Sequence, residues 1–228
     1  MTRYATGRTA GSGAKMRSTL APMAQPPTRP PVGPLVFATA NPHKVEEVRA
    51  KLGPDSGLEL LGLRDIGCDE PLPETTGTIP GNALEKARYV RERYGRDCFA
   101  EDSGLEVDAL RGRPGVDTAD YSGTRDDDAN MDKVLGELSA YRLPGQRTAR
   151  FRAVIALCLG GEEHVFEGAI EGRIAFAKTG DGGFGYDPIF IPVGHQHTFA
   201  ELPAEVKRRI SHRARAVEAL VELLTGRG

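Results

Sequence analysis

Between Leu35 and Leu224 the apolar residues follow two rhythms, one of strands and one of helices. Leu35-Val36-Phe37-Ala38-Thr39 is a short run that suits a buried strand, broken by Ala40-Asn41-Pro42-His43. Val45, Val48 and Leu52 then share one helical face opposite Lys44, Glu46, Glu47 and Arg49. Leu58–Leu63 reads as a second strand, residues 67–81 as a Pro- and Thr-rich loop, and Asn82–Tyr94 as a helix with Ala83, Ala87 and Val90 inward. Cys98-Phe99-Ala100 reads as a short strand ending in Glu101-Asp102-Ser103-Gly104. Leu105, Val107 and Ala109 then alternate with Glu106 and Asp108 at a strand period.

Further on, residues 111–126 form a Gly-, Arg- and Asp-rich loop and Ala129–Leu138 a helix. Phe151–Leu159 is the strongest strand signal, and Val165–Phe176 supplies one or two more, joined by connections too short for a crossover helix. A Gly-rich loop spans residues 178–198, a helical turn or two covers Ala204–Ile210, and Ser211 is placed to cap a last helix buried through Val217, Leu220, Val221 and Leu224. Parallel and antiparallel signals together predict an α/β fold, a mixed sheet flanked by helices.

Charge divides the chain. The 228 residues carry a net charge of −2, but residues 1–34 hold five basic side chains, no acid and six of the sixteen prolines. The overall charge argues against a dedicated nucleic-acid binder, and the body from residue 35 onward is at −7. Residues 1–34 read as a disordered basic extension and residues 35–228 as one folded domain. No apolar segment approaches the length of a membrane span. Cys68, Cys98 and Cys158 are odd in number and lack CxxC spacing, which points to buried thiols in a reducing, cytoplasmic setting.

Four clusters carry candidate chemistry. Thr39-Ala40-Asn41-Pro42-His43-Lys44 joins a strand to a helix start, where backbone N–H groups, an amide and a lysine suit phosphate oxygens. Glu101-Asp102-Ser103-Gly104, with Glu74 from the preceding loop, offers the oxygen ligands that Mg²⁺ requires, and equally reads as an acidic turn. Asn82 and Lys86 lie one helical turn apart, and Lys86 is equally compatible with a pairing to Glu85 or Glu101. Near the C-terminus, Gly182-Gly183-Phe184-Gly185-Tyr186-Asp187-Pro188 permits close backbone approach and aromatic stacking, followed by Lys207 and Ser211-His212-Arg213 at a helix start. The basic run from Lys207 to Arg215 also reads as a solvated stripe. Together the four clusters make the inventory of a nucleotide-hydrolysing site.

These motifs, with Pro114-Gly115-Val116 and Tyr121-Ser122-Gly123 between them, occur in an order that closely resembles the inosine/xanthosine triphosphate pyrophosphatases. The resemblance runs from about Leu35 to Leu224. It implies an elongated two-lobed fold, a homodimer, one Mg²⁺ per subunit, and hydrolysis of ITP, dITP and XTP to the monophosphate and pyrophosphate. By position, Asp102 matches the proton acceptor and a metal ligand, and Glu74 the second metal ligand. Thr39, Ala40, Asn41, Pro42, His43 and Lys44 match the triphosphate-binding segment, with Asn82 and Lys86 nearby. Ser103, Phe184, Gly185, Tyr186, Asp187, Lys207, His212 and Arg213 match substrate contacts. Many relatives have two aspartates where this chain has Glu101-Asp102, which gives Glu101 a supporting place. A related pyrophosphatase acting on modified pyrimidines or dTTP, and a non-catalytic nucleotide- or RNA-binding module, are the alternative readings.

Overall fold

The computed structural model describes residues 33–53 and 57–225. The segment read as a basic extension lies outside the described residues as far as Val32.

The chain runs β1 (Leu35–Ala38), α1 (Pro42–Leu52), β2 (Leu60–Leu61), α2 (Ile79–Tyr94), β3 (Cys98–Val107), α3 (Asp127–Glu137), β4 (Thr148–Leu159), β5 (Glu162–Ile174), β6 (Phe190–Pro192), α4 (Ala204–Ile210) and α5 (His212–Thr225). One six-stranded sheet takes the order β2-β1-β3-β4-β5-β6. β1 pairs in parallel with β2 and β3, and the pairings from β3 through β6 are antiparallel. The mixed sheet predicted from the alternation of patterns is therefore present, with β4 and β5 joined as a hairpin through Gly160-Gly161.

The sequence reading divided β3 into a short strand, an acidic turn and a second strand. The structure makes it one ten-residue strand, because β4 pairs with it without a break from Cys98↔Cys158 to Val107↔Ala149. Glu101 and Asp102 thus stand mid-strand, pointing to opposite faces by the strand alternation. Gly104 permits the continuity: a Cβ there would lie 2.1 Å from the Gly115 carbonyl oxygen. Other differences are smaller. The strand expected over Leu58–Leu63 shrinks to two residues. Thr78 caps α2 and starts it three residues before Asn82. β6 emerges from the Gly-rich loop by pairing Gly172–Ile174 with Pro192–Phe190.

Three apolar clusters organise the core. α2 packs on one sheet face against Val36, Ala100, Val154 and Ala156. α5 and α1 cover the other face, against Phe37, Phe99, Ile155 and Leu157. At the far end of β3, β4 and β5, Leu105, Phe151, Ile170 and Phe190 form a second lobe with Met131 and Val134 of α3. β3 and β4 run through both lobes, so residues mid-way along β3 lie where the lobes meet. Ser211 caps α5 as expected, its Oγ accepting the Ala214 N–H at 3.1 Å. Among the described residues, no helix is long and apolar enough to cross a membrane.

Candidate active site

A cleft of about 430 Å³ opens between the lobes, lined from one side by the β1–α1 turn, α2 and β3, and from the other by the loop before α3, residues 184–187 and the start of α5. Its walls carry five basic and six acidic side chains, so the positions of the charges decide what it can bind.

The turn after β1 is built around Asn41. Thr39 Oγ1 accepts the Asn41 N–H at 3.2 Å, and Asn41 Oδ1 accepts the N–H groups of His43 and Lys44 at 3.0 and 3.4 Å. The expectation that these N–H groups stand free for an anion is therefore corrected: the cap occupies them. Thr39, Ala40, Asn41 and Lys44 remain in the cleft wall, and Pro42 occupies the first turn of α1. Burial lowers the Lys44 pKa, only partly offset by Glu101 at 3.4 Å.

At the centre, Lys86 Nζ donates to Glu74 Oε1 at 2.6 Å and to Asp102 Oδ1 at 2.9 Å. Lys86 pairs with neither Glu85 nor Glu101, because Glu85 accepts from Thr75 and Glu101 points to the other side of β3. Burial opposes the Lys86 charge, but Asp102 and Glu74 outweigh it and raise its pKa. Asp102 is pushed up by burial despite Lys86. Its Oδ2 is buried without a hydrogen-bond partner among the described residues. Asn82, placed beside Lys86 by helical spacing, turns its Oδ1 to the backbone and hydroxyl of Thr76 and is absent from the cleft lining. It braces the loop that carries Glu74.

Against that same turn after β1, Phe184 stacks on His43 with ring centroids 5.4 Å apart. Lys207 Nζ lies 4.3 Å and the Arg213 guanidinium 5.8 Å from the Phe184 centroid. Lys207 is anchored by Asp187 and by Glu47 at 3.7 Å, and Asp187 also accepts the Phe184 N–H at 2.9 Å. Arg213 is only 3% exposed. It donates to both Glu101 oxygens at 2.7 and 2.9 Å, to Glu47, and to Ser103 Oγ at 3.4 Å. Burial alone would raise the Glu101 pKa, yet Arg213 and Lys44 hold it below the usual carboxylate range. His212 stacks on Phe151 at 4.9 Å; burial and then Arg213 drive its pKa far down, and its Nδ1 has no hydrogen-bond partner among the described residues. Tyr186 departs from the stacking role. It is 4% exposed and its hydroxyl donates to the Thr118 carbonyl, so it supports the wall from within the core. Gly185 adopts a φ of 61° and donates its N–H to Asp127 Oδ2 at 2.8 Å.

Sequence reasoning missed Glu47, Glu70, Arg125, Asp127 and Phe151. Glu47 was legible only as part of the polar face of α1, since its partners Lys207 and Arg213 lie more than 150 residues away. Glu70 ties the 70–78 loop to α2 by accepting from Tyr94 and Tyr89 hydroxyls at 2.7 and 2.9 Å.

The sequence model of the Ham1 family matches residues 35–223, nearly the whole described body. The chain belongs to the Ham1 family. A protein of Porphyromonas gingivalis named dITP/XTP pyrophosphatase is 52% identical over 191 residues, 83% of this chain and 96% of that protein. A Bacillus subtilis protein of the same name is 46% identical over 191 residues, with 83% and 96% covered. Among solved structures, a HAM1 protein from Coxiella burnetii superposes with a TM-score of 0.78 at 37% identity, covering 85% of this chain and 99% of that one. A structure named nucleoside-triphosphatase / dITP/XTP pyrophosphatase from Mycobacterium abscessus gives 0.69 at 45% identity, covering 82% and 97%.

In this Ham1-family cleft the donor set suits a hard divalent cation. No group of three or more His, Cys, Asp or Glu side chains capable of holding a metal occurs among the described residues. The two carboxylates on Lys86 instead leave one buried Asp102 oxygen unpartnered and Glu74 half exposed. Two carboxylates completed by water and substrate oxygens are what Mg²⁺ accepts, whereas a soft metal would require sulfur or nitrogen ligands.

Proposed function

We propose that the chain hydrolyses ITP, dITP and XTP to the nucleoside monophosphate and pyrophosphate. The observation that carries the reading is Asp102, a buried carboxylate with one oxygen on Lys86 and the other unpartnered, in a cleft wall it shares with Lys44 and Phe184. The names of the Porphyromonas and Bacillus relatives support the substrate class.

The triphosphate lies along Thr39–Lys44 and Lys86, and the purine enters at Phe184. A base that stacks on Phe184 takes the place of the His43 ring. Asp102 Oδ2 orients a water for in-line attack on the α-phosphorus and accepts its proton; burial brings that carboxylate closer to the basicity the task requires. Lys44 and Lys86 stabilise the charge that gathers on the departing pyrophosphate. Glu74 and Asp102 would hold one Mg²⁺, which when bound neutralises phosphate charge and polarises the reacting group.

Donors beside Phe184 read the 6-oxo edge. Most Arg213 hydrogens are engaged by Glu101 and Glu47, so the unpartnered His212 Nδ1 joins Arg213 and backbone N–H groups as a reader of O6. Adenine presents an amino group there, and two donors facing each other leave buried polar atoms unpaired. A homodimer in the cytoplasm belongs to the same proposal, and the free buried thiols of Cys68, Cys98 and Cys158 suit that compartment.

Pyrophosphate release with Mg²⁺ from a panel of ITP, dITP, XTP, ATP, GTP and dTTP tests the substrate class. Preference for the first three is expected. Faster turnover of dTTP would favour the pyrimidine reading, and binding without release would favour a non-catalytic module.

A further inference from the structure

Five cationic side chains line the cleft, and four of them are held by carboxylates. Lys44 lies on Glu101, Lys86 on Glu74 and Asp102, Lys207 on Asp187 and Glu47, and Arg213 on Glu101 and Glu47. The fifth, Arg125, is exposed in the loop before α3, and its guanidinium has no ion pair or hydrogen bond among the described residues. The cleft's acidic groups already outnumber its basic ones, so among the described residues this is the one cationic side chain in its wall not already neutralised.

The backbone there is unusual. Arg125 adopts a φ of 55° and is one of only two non-glycine residues at positive φ among those described. Its N–H is fixed on Asp120 Oδ1 at 3.2 Å. The next two residues have structural tasks: Asp126 caps α3 through the Ala129 N–H at 2.7 Å, and Asp127 holds the Gly185 N–H at 2.8 Å. Glycine would adopt this conformation without steric cost. An arginine kept in it, with its side chain in the cleft wall and unpartnered, points to a task for the guanidinium.

We infer that Arg125 binds the polyphosphate of the substrate from the lobe opposite Lys44 and Lys86, an inference that rests on the proposed nucleotide reading. The polyphosphate is the anionic part of a nucleoside triphosphate, and a guanidinium meets two of its oxygens at once. Because the contact forms in ground and transition states alike, its loss raises KM and leaves the chemical step.

The test is calorimetric binding of inorganic tripolyphosphate and, separately, of inosine to wild type, Arg125→Ala, Arg125→Lys and Arg125→Gly. Tripolyphosphate affinity should fall about fivefold to tenfold in the Ala and Gly variants, as for an exposed charge-assisted contact, and less in the Lys variant. Inosine affinity should not change. Arg125→Gly should melt no lower than wild type, since it relieves the backbone, while KM for dITP rises with kcat retained. Unchanged tripolyphosphate affinity, an equal loss for inosine, or no tripolyphosphate binding by wild type would overturn the assignment. A wild type that binds tripolyphosphate through Arg125 yet releases no pyrophosphate from dITP would instead overturn the proposed function alone.

Discussion

Arg213 and Glu101 form a bidentate ion pair across 112 positions of sequence, with both side chains at or near complete burial. The pair fastens the start of α5 to the middle of β3, and Glu47 closes it from α1. Glu101 therefore orients Arg213 and Lys44, and Asp102, on the other side of the same strand, lines the cleft and carries the proposed proton-accepting role. Glu101→Ala leaves a buried guanidinium with one carboxylate fewer, and a loss of about 3–5 kcal/mol is expected in urea unfolding. A loss below about 1 kcal/mol, as for an exposed pair, would show that the pair is not buried in solution.

Asp102→Asn keeps the size of the side chain and removes its charge. Turnover of dITP should drop at least about 100-fold, the usual contribution of a general base. Near-normal kcat in the purified, folded variant would remove Asp102 from the proton-accepting role.

Glu70 gives a pH signature away from the reacting groups. Hydrogen bonds from Tyr94 and Tyr89 hold its carboxyl at about 2, below an ordinary value of 4.5. A depressed folded pKa contributes stability above the unfolded value, and that contribution disappears as pH falls from 4.5 towards 2. In melting curves across this window, Glu70→Gln should lose less stability on acidification than wild type. Identical pH profiles would contradict the tether.

Gly168 in β5 permits close approach of α5: a Cβ there would lie 2.1 Å from the His212 carbonyl oxygen and 2.6 Å from the Ala216 nitrogen. Gly168→Ala should cost about 1–3 kcal/mol as an overpacked contact. By shifting His212 and Arg213 it should also raise KM for dITP while leaving tripolyphosphate affinity intact. Equal weakening of both ligands would place the disturbance elsewhere.

Local pattern made much of the fold legible. The β4–β5 hairpin, the capped α5 and the inward face of α2 follow from periodicity and from turn and cap residues. Continuity of β3 was hidden, since Glu101-Asp102-Ser103-Gly104 has the composition of a turn and becomes strand only through pairing with β4. β6 is three residues in a Gly-rich segment and exists through its register with β5. In the site, the clusters around Lys44, Asp102 and Phe184 are brought together as their motifs suggested. The partners that orient them are another matter. Glu47 with Lys207 and Arg213, and Asp127 with Gly185, are long-range pairs that no local spacing encodes. Asn41 and Asn82 had the right chemistry for a ligand, but folding directs their carbonyl oxygens to the backbone.

Hydrolysis of dITP in ¹⁸O-water with Mg²⁺ addresses the central claim most directly, because it reports which phosphorus is attacked. The expected result is one ¹⁸O atom in the monophosphate and none in the pyrophosphate released. Label in pyrophosphate, or release of orthophosphate with a diphosphate product, would contradict attack on the α-phosphorus.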